Sequence, residues 1–207
     1  MKTRIIIDSS ANLEAQHRAE MTVLPLTVRF GEEEFVDGIT ITNEEFYQRL
    51  EMVEELPTTS QVTPDAFIKA FEEVKEAGDE AVVITVAAGL SGTCQSANIA
   101  AKEFDNIYVV DSGNVAVGSG VLAEYAYRLR DEGKSAKEIK EILDSVKNKV
   151  HIIAMVDTLK YLKWEAESPV QLRWQEAFCI SNPLWKCMME RSIRLPKHRV
   201  QEKGIRY

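Results

Sequence analysis

Apolar residues occur along this chain in two spacings, and the two alternate. "RIIID", Arg4 to Asp8, and "AVVITV", 81–86, are short unbroken runs rich in β-branched residues. Runs of that length predict strands buried on both faces of a sheet. "MTVLPLTVRF" alternates apolar and polar positions around Pro25 and predicts an extended or edge segment, on which "EEEFVDG" can fold back across Gly31. Thr42-Asn43-Glu44-Glu45 is a capping-box pattern, opening a helix through Leu50 to Val53. "LPTTSQVTPDAF" reads as a loop in which Thr63 caps the next helix and Pro64 takes its first position. Phe67, Ala70, Phe71 and Val74 then recur at helical spacing.

The alternation continues. Ser91 to Lys102 reads as a helix with Ser91 as its N-cap, "NIYVVDS" as a strand and Val115 to Leu129 as a helix. Ser135-Ala136-Lys137-Glu138 is a second capping box, opening a helix to about Lys147, and "VHIIAMVDT" closes the series as a strand. Strands alternating with helices of this length predict an α/β fold: a mostly parallel sheet with helices on both faces. Such sheets bind ligands at the carboxyl ends of their strands. Asp8-Ser9-Ser10, Gly89 to Thr93, Asp111-Ser112-Gly113 and Asp157-Thr158 fall at those ends.

After Lys163 the pattern stops. All three tryptophans (Trp164, Trp174, Trp185) and two of the three cysteines lie beyond it. Trp164 to Tyr207 holds eight Lys/Arg against five Asp/Glu, a net +3, which leaves −11 on the first 163 residues of a chain whose net charge is −8. That acidity argues against a general nucleic-acid binder. No apolar run is long enough to span a membrane, and "MKTRIIIDSS" reads as a first strand rather than a secretory signal. Cys94, Cys179 and Cys187 form no disulfide framework and no CxxC metal pattern, so a reducing cytoplasm is expected.

Candidate chemistry narrows to two hydroxyl clusters. In "GLSGTC" the helix N-terminus and the hydroxyls of Ser91 and Thr93 suit a carboxylate or phosphate, although a hydroxyl N-cap alone would look the same. In "PTTSQVTP" the side chains Thr58, Thr59, Ser60 and Gln61 are polar in a row, as in an ordinary solvated turn. Phosphate-loop, dinucleotide and nucleophile-elbow signatures are absent. Cys94 could gain thiolate character at a helix N-terminus, but His17, His151 and His198 have no recognisable relation to it, and a small buried helix residue fits better. Asp8, Asp111 and Asp157 look like a metal or phosphatase carboxylate set and also suit helix capping. A small hydrolase or phosphatase using strand-end Asp residues, and a ligand-free interaction module, therefore stay open.

"IIIDSSANL", "VLPLTVRFGEEEFVDGITIT", "PTTSQVTP", "GLSGTCQSANIAAKEF", "VVDSGNVAVGSG" and "DTLKYLK" stand in the order typical of the DegV family, the bacterial fatty-acid-binding proteins, which residues 1–163 resemble almost without a gap. The resemblance implies two α/β domains with a long-chain fatty acid between them and no enzymatic activity or cofactor of its own. It implies a carboxylate held at Thr59, Ser60, Ser91, Gly92 and Thr93, and, in some members, a separate fatty acid kinase that receives the acyl chain. It also implies a Gly-Gly-Arg-Ile-Ser turn after "YLK", where this chain has "WEAESP".

The codons available to "WEAESP", read from the third base of the Trp164 codon, permit Gly-Gly-Arg-Ile-Ser. The same frame forces Ala across Trp174 and Gln175, permits His-Ile-Lys-Pro from Cys179 to Pro183, and forces Asp-Gly across Met188, Met189 and Glu190. The expected organisation is therefore a DegV-like domain, 1–163, followed by an aberrant, frameshifted tail, 164–207, that is disordered or poorly packed. A chain so truncated is expected to bind fatty acid weakly or not at all.

Overall fold

The computed structural model describes residues 2–152. The last predicted strand beyond Ile152, Asp157-Thr158 and the 164–207 tail lie outside the described residues. Seven strands and six α-helices are described: β1 (Thr3–Asp8), α1 (Ala15–Arg18), β2 (Thr22–Leu24), β3 (Thr27–Phe30), β4 (Glu33–Val36), α2 (Asn43–Met52), β5 (Thr58–Ser60), α3 (Pro64–Glu76), β6 (Glu80–Thr85), α4 (Thr93–Ala101), β7 (Ile107–Asp111), α5 (Val117–Asp131) and α6 (Ala136–Val146).

The main sheet has the order β2-β1-β6-β7 with every pairing parallel. All six residues of β6 are buried, as its unbroken apolar run requires. Alternate residues serve opposite faces. Ile5, Ile7, Val82 and Ile84 pack under α5 and α6 with Leu122, Leu129, Ile139 and Leu143. Ile6, Ala81 and Val83 pack under α3 and α4 with Phe67, Phe71, Val74 and Ala97. Each fully buried Ile, Leu or Phe contributes about 1.5–3 kcal/mol. The result is the expected α/β sheet with helices on both faces.

Pro25 separates two strands that belong to different sheets. Before it, β2 joins the parallel sheet; after it, β3 sits between β4 and β5 in a small antiparallel sheet. The β3–β4 hairpin turns at Gly31, whose φ of 60° is the left-handed region that glycine enters freely. Val28, Phe30 and Ile41 form a satellite core over which Phe46 of α2 packs. Both capping boxes form, at Thr42–Glu45 and Ser135–Glu138, and Thr63 and Pro64 open α3 as expected.

Residues 58–60 correct the sequence reading. They are the strand β5 rather than loop, paired with β3 in the register Val28↔Thr59. All three side chains are exposed, so no apolar alternation marks the strand; its pairing rests on backbone hydrogen bonds alone.

Two close contacts lock the ends of the sheet. The Asp79 carboxylate accepts from the Lys2 backbone N–H at 2.7 Å and from Arg4 Nε at 2.9 Å. At the other end the Asn12 N–H donates to the Ala116 carbonyl at 3.1 Å, bringing the post-β1 loop onto α5 at Gly120. A Cβ on Gly120 would lie 1.9 Å from the Asn12 carbonyl oxygen, a backbone atom with no room to move. Gly120→Ala is therefore expected to destabilise the domain by about 3 kcal/mol, the upper end for overpacking, read from urea unfolding.

Hydrogen bonds from Lys2 and Arg4 hold the Asp79 carboxyl below its ordinary value of 3.8. A depressed folded value gives stability that is complete above 3.8 and lost as pH falls through the folded value. The stability gap between the parent and Asp79→Asn is accordingly expected to be constant above pH 4 and to close on further acidification, measured by unfolding at a series of pH values.

Candidate functional site

The parallel ladder ends level at one edge, with Ile7 beside Ile84 and Thr85 beside Asp111. There the strand-end aspartates are committed to backbone. Asp8 is 1% exposed and accepts from the Val86 N–H at 2.6 Å, the Ser10 N–H at 3.1 Å and the Ser10 hydroxyl at 2.5 Å. Burial raises its carboxyl above the ordinary value despite those bonds. Asp111 Oδ1 accepts from the Ala88 N–H at 3.1 Å and the Gly113 N–H at 2.9 Å. Neither residue caps a helix, one of the two roles open to them in the sequence; both instead tie the loops that follow β1, β6 and β7 to each other. The loop N–H groups lie closer to the strand ends than the helix starts do.

One of those loops delivers the chain to α4. Ser91 was expected as the N-cap, but the N-cap is Gly92, with no side-chain cap. Ser91 precedes it, and its hydroxyl accepts from the Thr93 N–H at 3.2 Å while lying 2.9 Å from Thr93 Oγ1. Thr93 is fully buried, and its Oγ1 accepts from the Val62 N–H at 3.3 Å. The N–H groups of Gly92, Cys94 and Gln95 have no acceptor among the described residues. A helix N-terminus in that condition carries partial positive charge and favours an anion.

The second hydroxyl cluster meets the first through Gln61 and Val62, which follow directly on β5. Gln61 Nε2 donates to Ser96 Oγ at 2.9 Å, and its carboxamide covers Gly92 so closely that a Cβ there would stand 1.9 Å from Oε1. Thr59 and Ser60 are exposed, and among the described residues their hydroxyls have no hydrogen-bond partner. Side chains of a strand alternate, so Thr59 shares the face of its partner Val28 and Ser60 that of Thr27. The two segments are thus joined by Gln61 and Val62, while no described hydrogen bond links Thr59 or Ser60 to Ser91, Gly92 or Thr93. Sequence reading noted Gln61 only as one of four polar residues in a row. The glycine of "LSGT", standing where a helix start usually has a hydroxyl or carboxylate, was the signal that something large lies against that position.

A family model for uncharacterised proteins of the DegV family matches residues 2–165. The chain belongs to the DegV family. A DegV domain-containing protein of Clostridium perfringens is 36% identical over 148 residues, covering 69% of this chain and 53% of the relative. The solved structure of DegV, a fatty acid binding protein from Bacillus subtilis, superposes with a TM-score of 0.68 at 30% identity, over 79% of this chain and 60% of that one. A stearic acid-binding protein from Eubacterium ventriosum superposes at 0.66 with 27% identity, over 83% of this chain and 63% of that one. The chain spans about half the length of the curated relatives it matches.

Among the described residues of this DegV chain, no helix is long and apolar enough to cross a membrane, and no three His, Cys, Asp or Glu side chains are grouped to hold a metal ion. Cys94 is 5% exposed, and burial pushes its thiol above the ordinary value. It therefore stays a neutral thiol despite its place in the first turn of α4. Iodoacetamide at pH 8 is expected to leave Cys94 unmodified in the folded protein and to alkylate it in urea, as read by peptide mass mapping.

Proposed function

We propose that residues 1–163 are the head-group half of a DegV-type fatty-acid carrier. The observation that carries this is the α4 N-terminus, where three N–H groups without an acceptor among the described residues stand beside the Ser91 hydroxyl, next to the chain that continues from the exposed β5 hydroxyls. An ionised carboxylate only accepts hydrogen bonds, so it is matched by a site made of donors. Thr59, Ser60, Ser91, Gly92 and Thr93 are the residues proposed around it. Thr93 acts from beneath, holding Ser91 and Val62 with its buried hydroxyl. The acyl chain is a long one, in keeping with the stearic acid of the Eubacterium neighbour's name. The carrier works in the cytoplasm and presents the carboxyl end to a separate fatty acid kinase. Among the described residues, Asp8 and Asp111 accept from backbone donors, which counts against their use in the hydrolase reading.

We further propose that Trp164 to Tyr207 is a frameshifted reading of the second domain. The family match stops at residue 165, beside the change in composition after Lys163. The tail of a bound fatty acid supplies most of the affinity, at about 0.8 kcal/mol per buried CH₂. Losing one wall of its tunnel halves that burial, which for a sixteen-carbon chain removes roughly 5 kcal/mol, on the order of a 10⁴-fold weaker complex. The 207-residue chain consequently keeps head-group recognition but binds weakly.

The test uses two proteins: the 207-residue chain and the product read from the third base of the Trp164 codon. The second is expected to bind palmitate at least 10³-fold more tightly, and Ser91→Ala in it to weaken binding by about tenfold, the worth of one hydrogen bond to a charged group. Equal affinity of the two proteins would contradict the frameshift reading. Unchanged palmitate affinity in Ser91→Ala would contradict the head-group site.

A further inference from the structure

The proposed carboxylate donors come from two segments that belong to different parts of the fold. Ser91 and the α4 N–H groups ride on the main sheet, through the loop after β6. Thr59 and Ser60 ride on β5, an exposed three-residue strand that among the described residues pairs with β3 alone. Among the described residues, two hydrogen bonds alone join 58–62 to the loop and helix at 91–96. One runs from the Val62 backbone N–H to the Thr93 hydroxyl. The other is the side-chain bond from Gln61 to Ser96, a residue 1% exposed.

We infer that Gln61 is the positioning residue of the head-group site, a role that rests on the fatty-acid reading above. Its carboxamide is held on three sides: by the covalent path from Ser60, by the buried Ser96 hydroxyl, and by the bare face of Gly92 beneath Oε1. Being immediately after Ser60, it sets how far the β5 hydroxyls stand from the α4 N–H groups. Being an amide, it brings no charge against the arriving carboxylate. Gly92 has a reason to be glycine that is independent of any ligand: a Cβ would occupy the place of the Gln61 amide. Since the obstructed atoms are the far end of a flexible side chain, Gly92→Ala leaves the fold standing and pushes Gln61 off Ser96. The bond Gln61 makes is internal, so its effect on a carboxylate is exerted through the spacing of other donors.

The test uses the full 207-residue chain with two soluble probes, sodium octanoate and octan-1-ol, which share an apolar tail and differ in the charged head. Amide NMR shifts of Gly92, Cys94 and Gln95 report binding. The parent chain is expected to prefer octanoate. Gln61→Ala, Ser96→Ala and Gly92→Ala are each expected to reduce that preference about fivefold to tenfold, and the Gln61→Ala/Ser96→Ala double variant to go no further than either single one, because all break one contact. Octanol affinity stays unchanged in Gln61→Ala and Ser96→Ala. Loss of both probes together would mean a merely structural role and overturn the inference, as would full octanoate preference in Gln61→Ala. An absence of octanoate preference in the parent chain would instead remove the head-group reading itself. Should Gln61→Ala fail to fold, Ser96→Ala, which removes only the hydroxyl inside a helix, carries the same test.

Discussion

A sheet strand buried on both faces has no polar side to fix its register. β6 is such a strand: sliding it by one residue would exchange Val82 and Ile84 for Ala81 and Val83, apolar for apolar. The register is set instead by hydrogen-bonded carboxylates at its two ends. Asp79 and Glu80 anchor the amino end, Asp79 on Lys2 and Arg4, Glu80 on the Thr3 hydroxyl and the Ala136 N–H. Asp8 anchors the carboxyl end on Val86. A slip would take these groups away from their hydrogen-bond partners. Of the aspartates that looked like catalytic candidates in the sequence, Asp8 and Asp111 both accept from backbone N–H groups.

Fixing that register also fixes where the loops emerge. Thr85 ends level with Asp111, and the loop after β6 is held by Asp111 through Ala88. The chain then enters α4 with the Thr93 N–H on the Ser91 hydroxyl and, among the described residues, no acceptor for the N–H groups of Gly92, Cys94 and Gln95. Of the six described α-helices, α2, α3 and α6 spend a side chain on that position, and α1, α4 and α5 do not. α4 has a glycine there, and the space a side chain would take is filled from another segment by Gln61. The helix start is therefore structurally closed at its flank and chemically open at its tip.

Much of the main sheet was legible from short-range pattern. The β-branched runs gave β1, β6 and β7, and Phe67, Phe71 and Val74 gave the buried face of α3, because burial on one stripe leaves a periodic mark. The strand β5 was not legible, since all three of its side chains face solvent and its pairing uses only backbone. The N-cap of α4 lies one residue after Ser91, whose chemistry suits a cap; it is Gly92, against which the Gln61 carboxamide packs from a distant segment. Hydroxyl clusters at 58–60 and 91–93 were visible as candidates, but their junction through Gln61, Val62, Thr93 and Ser96 is a tertiary fact with no local signature.

Membership of the DegV family, the uncapped α4 N-terminus and the adjoining β5 hydroxyls support one account, in which a fatty acid carboxylate sits on donors that the fold leaves open. The most direct measurement is a crystal structure, with palmitate bound, of the protein read in the restored frame after Lys163. The account predicts carboxylate oxygens within hydrogen-bond distance of the Ser91 hydroxyl and of at least one N–H among Gly92, Cys94 and Gln95. A head group seated elsewhere, with those N–H groups bonded only to water, would contradict it.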